Sequence, residues 1–527
     1  MTRKRARSSL DMAAVDLWKR ELGAVTPRSF SRTLGSSQDL VLRLSLFRKL
    51  EKHRGCVNTV SFNADGDVII SGSDDQRIIL WNWETGNAKL TFESGHLDNV
   101  FQAKFMPYTE DRTIVTCAAD GQVRHVELLD GGLVETTLLS KHEGRAHKLA
   151  IEPGSSHIFY SCGEDGLVQH FDLRIPTATK LFKCYAHSTS HMPVVLYAIA
   201  IDPRKPNLFA VAGSNRYARL YDIRRYKHDG SSDFGEPLDC FCPPHLIRNN
   251  KVGITGLAFS EQSELLVSYS GDNIYLFTSD MGSGTNTVQN SLLTTDSDAH
   301  ENTVSGDSIS KSIVVNKITP QVYSGHNNYE TVKGVTFFGP NSDYVTSGSD
   351  CGRIFIWKKK CGVLIRVMEA DKYIVNCIES HPHTMVLASS GIESDVKIWH
   401  PEAIERAALP VTISRPMKRR PMHFLVHEEA SIFDWYAAET SEDDEDVEEE
   451  EEEDDDDDDD SDGVKDDSEE DESIDMDEYE EEEDDEDSVS EDEEFNYEAY
   501  ASCDSGESDH DISIDDEPGD GIPPSDS

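Results

Sequence analysis

One pattern recurs along residues 53 to 399: a His, an alternating apolar stretch, a stretch of small residues, a tight acidic turn, and a last apolar stretch that closes on an aromatic residue. The first copy is the clearest. His53 precedes Val57 to Phe62, Val68 to Ser73 follows, Asp74 and Asp75 make the turn, and Arg77 to Trp81 runs through Ile78 and Leu80 to the tryptophan. Each stretch has the length of a strand and is too short for an ordinary helix, and each favours β-branched and aliphatic residues. The closing residue falls at Trp81, Val126, Phe171, Tyr221, Phe277, Trp357 and Trp399, at intervals of 45, 45, 50, 56, 80 and 42 residues. Seven anchors predict seven units.

A period of about 40 to 45 residues with four strands per unit marks a β-propeller, and over roughly residues 47 to 400 the chain resembles the WD-repeat family. The fold class expected is all-β: a seven-bladed WD40 propeller with a short helical N-terminal extension and a disordered acidic C-terminal tail. The resemblance implies a buried hydrogen-bonded set in each complete blade. It joins a His before the first strand, a small hydroxyl residue on the second, an Asp in the next turn and a Trp on the third. His53, Asp75 and Trp81 stand at those positions, and Trp357 and Trp399 occupy the anchor site of the last two units. The turn acid lies six residues before the anchor at Asp75, Asp120 and Asp165 alike. Asn215, Cys351 and Glu393 replace or change that acid and Val126 replaces the aromatic, so packing must hold those blades. Polar groups that satisfy one another on a strand scaffold read as structural rather than catalytic. No GxSxG, P-loop, HExxH or kinase signature accompanies them, so no enzyme, no catalytic residue and no cofactor is expected.

Charge is distributed as unevenly as the repeats are regular. The chain holds 101 acids against 49 bases, yet residues 441 to 527 alone carry 50 acids and one base, Lys465, leaving 51 acids and 48 bases in the first 440 residues. The body can bury a core, whereas the tail is predicted to stay disordered because it has too little apolar surface to offset its ordering entropy. The expected domains are a basic extension over 1–46, the propeller over 47–402 with a disordered insertion at 279–317 between strands of blades five and six, a linker over 403–440 and the acidic tail over 441–527. The longest apolar run, Val194 to Ile201, is too short to cross a membrane, and the residues after Arg5 give no apolar signal-peptide core. Ten cysteines without a CxxC pair fit reduced, buried thiols of an intracellular protein, and Cys240, Cys242 and His245 read as loop residues rather than a metal site. Ser441, Ser461, Ser468, Ser473, Ser488 and Ser490, each set among acids, resemble substrates of acidophilic kinases. The tail repels nucleic acid; it either holds basic partners such as histones or ribosomal proteins or serves solubility.

Residues 1 to 54 hold 13 bases against five acids, and two segments there place apolar residues at helical spacing. Asp11 to Leu22 carries Met12, Val15, Trp18 and Leu22; Ser37 or Asp39 could cap a second helix through Leu40, Val41 and Leu44, expected to run to about Leu46 before a strand that closes the ring. The basic clusters Arg3 to Arg7 and Lys418 to Arg420 suit nuclear import or an intramolecular contact with the tail, and charge alone does not separate the two. Nuclear and cytoplasmic localisation is the expectation.

Two consecutive units end in an aromatic residue, Asp, any residue and Arg: Phe171-Asp172-Leu173-Arg174 and Tyr221-Asp222-Ile223-Arg224. The doubled box resembles that of the damaged-DNA-binding-protein-one and cullin-4 associated factors, substrate receptors of cullin-4 ubiquitin ligases. Stretches such as His53 to Thr59, Asn99 to Phe105 and Gly348 to Gly352 extend the likeness across the propeller. The resemblance implies docking on that adaptor through Asp172, Arg174, Asp222 and Arg224, with a helix over Asp39 to Leu46, bearing Leu40 and Leu44, entering the adaptor. An acidic-tailed scaffold or chaperone for basic clients is the alternative; it would need the tail and be indifferent to Arg174 and Arg224.

Overall fold

Val68, Ile69 and Ile70 show how the pattern becomes structure. The computed structural model describes residues 13–186, 192–226, 236–282 and 319–410. Three short helices come first, α1 (Ala13–Glu21), α2 (Pro27–Gly35) and α3 (Gln38–Leu42). They are followed by β1 (Ser45–Glu51) and then by blade one, which is β2 (Val57–Phe62), β3 (Val68–Ser73), β4 (Arg77–Asn82) and β5 (Asn87–Glu93). Blade one is an antiparallel sheet in that order. All of β3 and the middle of β4 are buried, because neighbouring blades cover both faces, and the strands accordingly carry continuous apolar runs. Six further four-stranded sheets complete the propeller, and each of the seven anchors lies on the third strand of its blade.

The ring closes through the first strand. β1 belongs not to blade one but to blade seven, where it pairs antiparallel with Asp395–His400 in a register that sets Leu46 opposite Trp399 and Leu50 opposite Val396. The edge of Asp395–His400 needs backbone partners, and residues from Ser45 onward supply them. For that reason α3, the second of the two expected helices, stops at Leu42 instead of reaching Leu46. α2 was not among the expected elements, although its start is marked by Thr26, whose hydroxyl accepts from Ser29 N at 3.2 Å, and by Pro27 in the first turn.

Seven apolar clusters make up the core, each between two adjacent blades. Leu50, Ile69, Trp81, Val386 and Val396, for example, lock the last blade to the first. The long interval before Trp357 interrupts blade five itself, between its third strand Ile274–Phe277 and its fourth, Gln321–Tyr323, which pair with each other. The insertion is therefore not placed between blades five and six; most of it, at 283–318, lies outside the described residues, as do the tail and its six serines.

The polar sets form in the first three blades. His53 Nδ1 lies 3.0 Å from Asp75, its Nε2 lies 2.8 Å from Ser71 Oγ, and Trp81 Nε1 donates to the same hydroxyl at 2.8 Å. His96 with Asp120 and Thr116, and His142 with Asp165 and Ser161, repeat the relay in blades two and three without the tryptophan. In blade seven Trp399 Nε1 donates to Ser389 Oγ at 2.9 Å.

Candidate protein-docking site

Strand direction alternates within a blade, so every turn that joins a blade's first and second strands, or its third and fourth, lies on one face of the ring. The third strands of blades three (Leu167–Asp172) and four (Ala218–Asp222) both end on that face. Leu173 N donates to His157 O and Ile223 N to Asn207 O, each at 2.9 Å, which ties these strand ends to the neighbouring turns. Asp172 and Asp222 each accept the backbone N–H of the arginine two residues on, at 3.0 Å. The same carboxylates grip the side chains. Arg174 Nε and Nη2 donate to Asp172 at 2.9 and 2.7 Å, and Arg224 Nε donates to Asp222 at 2.9 Å with Nη2 beside it.

Hydrogen bonding from Arg174 holds the Asp172 carboxyl down at about 2, and Arg224 lowers Asp222 for the same reason. Both pairs are thus fully charged at neutral pH. The carboxylates are mostly covered, whereas the side chains of Arg174 and Arg224 are 65% and 67% exposed. Each Asp occupies two of the guanidinium's donors and fixes its plane, leaving Nη1 and part of Nη2 directed at solvent. A partner carboxylate or carbonyl would meet two preset forks on adjacent blades, with little rotamer entropy left to lose.

The N-terminal helices reach the same face. Tyr344 Oη donates to Ser36 O at 3.0 Å and Asn341 Nδ2 to Ser36 Oγ at 3.1 Å, so the end of α2 rests on the turn between the first two strands of blade six. α3 is no free surface. Val41 and Leu44 are wholly buried with Phe338, Tyr344 and Met385, Leu40 packs partly against them, and Arg406 Nη1 donates to the buried Asp39 at 2.6 Å. The expected use of Leu44 as a partner contact is corrected accordingly, since its apolar side chain fills the seam between blades six and seven, whereas Leu40 is half-buried at the edge of that seam. α1, in contrast, buries none of its residues and leaves Val15, Leu17 and Trp18 in solvent with Leu22 just beyond it, Trp18 being 60% exposed. Its amphipathic spacing was readable. Which of the two amphipathic segments the propeller covers was not.

Residues 44–82, 318–358 and 362–400 match the family model described as "WD domain, G-beta repeat". Mouse DDB1- and CUL4-associated factor 6 is 36% identical over 270 residues, covering 50% of this chain and 31% of that protein. Protein ALTERED SEED GERMINATION 2 of Arabidopsis thaliana is 33% identical over 275 residues, 45% of this chain and 36% of its own. Mouse WD and tetratricopeptide repeats protein 1 is 31% identical over 292 residues, 50% and 42% of the two chains. The chain is a WD-repeat protein, akin to the DDB1- and CUL4-associated factors. It spans less than half the length of these relatives. Within this WD-repeat protein the stretches that match the family model cover strands of blades one, six and seven and the last strand of blade five, and both arginine boxes fall outside them.

The cysteine cluster takes a packing role. Cys240 and Cys242 are buried in the seam between blades four and five, where burial pushes their thiols up to about 11 and about 12, and the His245 ring faces Asp272 and the Tyr275 hydroxyl. Among the described residues no group of His, Cys, Asp or Glu is placed to hold a metal ion.

Proposed function

We propose that this WD-repeat protein is a substrate receptor of a cullin-4 RING ubiquitin ligase. In this reading it docks on the adaptor through the face bearing Arg174 and Arg224 and offers a target protein elsewhere on the ring, in nucleus and cytoplasm. The observation that carries the reading is the pair of exposed arginines on neighbouring blades, each held by its own Asp, on the face that also bears the N-terminal helices. The likeness to DDB1- and CUL4-associated factor 6 supports it. Such a receptor needs no catalytic group of its own. Holding a target lysine near a charged conjugating enzyme raises its effective concentration, and proximity supplies the rate. α1 takes the part first given to α3, since an exposed Trp18 beside Leu22 is the kind of anchor that enters a partner's cleft.

The experiment is retention of the purified adaptor on the immobilised full chain, on the Arg174→Ala, Arg224→Ala double variant and on Trp18→Glu. Retention by the intact chain and at least a tenfold loss in each variant, with unchanged melting, is expected. Equal retention by all three would sink the reading.

A further inference from the structure

Beside Arg224, between blades four and five, the same face opens into a groove of about 600 Å³. Its floor is apolar, formed by Leu208, Leu220, Phe241, Phe259 and Phe277, and its rim carries Arg204 and Lys205. The acids that line it are already engaged. Asp202 accepts the backbone N–H of Arg204 and the Ser263 hydroxyl, both at 2.9 Å, and Glu264 accepts from Ser260 Oγ at 2.8 Å and pairs with Lys359 Nζ at 2.7 Å. Arg204, Lys205 and the neighbouring Arg225 are exposed and form no ion pair with another described residue. The bond from Ile223 N to Asn207 O brings Arg224 and Arg225 up to the Arg204–Lys205 turn. Cations thus crowd one rim of an aromatic-floored groove whose carboxylates are compensated from within.

We propose that this groove binds an acidic peptide segment of a partner protein, with a bulky apolar side chain seated on the half-covered Leu208, Leu220 and Phe259 and the flanking carboxylates on Arg204, Lys205 and Arg225. The volume lies in the range of built ligand sites and suits one or two large side chains. A basic or neutral peptide would leave the three cations unanswered, whereas acids gain charge-assisted hydrogen bonds there. A nucleic-acid strand fits less well. It needs several exposed rings on which successive bases stack, and of the floor's three rings Phe259 alone is not buried. This proposal does not rest on adaptor docking.

Fluorescence anisotropy of the full chain with four labelled probes tests it: the peptide EEFEEFEE, its alanine form EEAEEAEE, its lysine form KKFKKFKK, and an oligo-dT octamer. EEFEEFEE is expected to bind, more weakly as salt rises, with EEAEEAEE at least tenfold weaker and KKFKKFKK not binding. The Arg204→Glu, Lys205→Glu double variant, and independently Arg225→Glu, should each weaken EEFEEFEE at least tenfold without a change in melting. Arg174→Ala should leave it unchanged while lowering adaptor retention, so the two proposals fail separately. Equal binding of the phenylalanine and alanine peptides, binding of oligo-dT as tight as that of EEFEEFEE, or no binding of EEFEEFEE overturns the proposal.

Discussion

In blade one His53 finds both Asp75 and Ser71, and Trp81 completes the set; in blade six His326 occupies the same position after Gly325 and meets neither partner. One substitution accounts for the difference. Cys351 stands where blade one has Asp75, the Ser347 hydroxyl turns to Gly348 O at 3.1 Å, and Trp357 Nε1 donates instead to Ser324 O at 3.0 Å. His326 is left edge-on to the Trp357 ring with both nitrogens unpartnered among the described residues. Blade six also buries a charge that blade one lacks: the Lys333 side chain is fully covered and forms an ion pair with Asp350. Two blades of one ring therefore hold similar strands by different means, one by a satisfied polar relay and the other by the packing of Phe337, Phe355 and Trp357 together with a closed ion pair. A closed ring tolerates this, because each blade is clamped by a neighbour on both sides.

The contrast breaks most sharply at Asp350. Asp350→Ala leaves the Lys333 ammonium buried without a counter-charge, with Thr331 O and Oγ1 as its remaining acceptors at 3.1 and 2.9 Å, and urea unfolding should show a loss of about 3–5 kcal/mol, with Lys333→Met in the same chain restoring most of it. Next comes Ser71→Ala, which strips Trp81 Nε1 and His53 Nε2 of their shared partner. A loss of about 2–3 kcal/mol is expected, against about 1 kcal/mol or less for Ser347→Ala, whose hydroxyl serves only a carbonyl. Equal losses at the two serines would erase the distinction between the blades.

The smallest effect has the opposite sign. Burial, aided by Lys333, pushes His326 down to about 4. The folded chain therefore binds fewer protons at this site than the unfolded chain, whose histidine titrates near 6.5, so stability falls as pH drops from about 6.5 towards 4, by up to about 3 kcal/mol. His326→Leu should gain about 1 kcal/mol at pH 7 by removing two unsatisfied nitrogens, and should flatten that acid slope. Thermal melts of both chains at pH 7 and pH 5 check it. His53 is also held below its ordinary value by burial, against the pull of Asp75, but His53→Leu should destabilise because its ring nitrogens are satisfied.

The repeat was legible because its signals are local: a strand, a turn acid and an anchor all lie within about 30 residues, and the anchors at Trp81, Trp357 and Trp399 need no knowledge of the rest of the chain. The two arginine boxes were legible for the same reason, each pair lying two residues apart. What escaped depends on distant residues. The burial of Leu44 is decided by Phe338, Tyr344 and Met385, some 300 residues away, so the same apolar spacing that marks a free helix also fits a covered one. The insertion was assigned to the wrong gap because the strand that follows it, Gln321–Tyr323, is three residues long and gives almost no period. The groove had no sequence signature at all, its floor being gathered from strands between Leu208 and Phe277 in two blades.

Hydrogen exchange of the full chain with and without the adaptor tests the central claim most directly. The account predicts slowed exchange in residues 13–35, 172–176 and 222–226, and none in the opposite-face turns around Arg54, Gly121, Arg145 and Gly166. Protection confined to those opposite turns, with α1 and both arginine boxes unchanged, would contradict it.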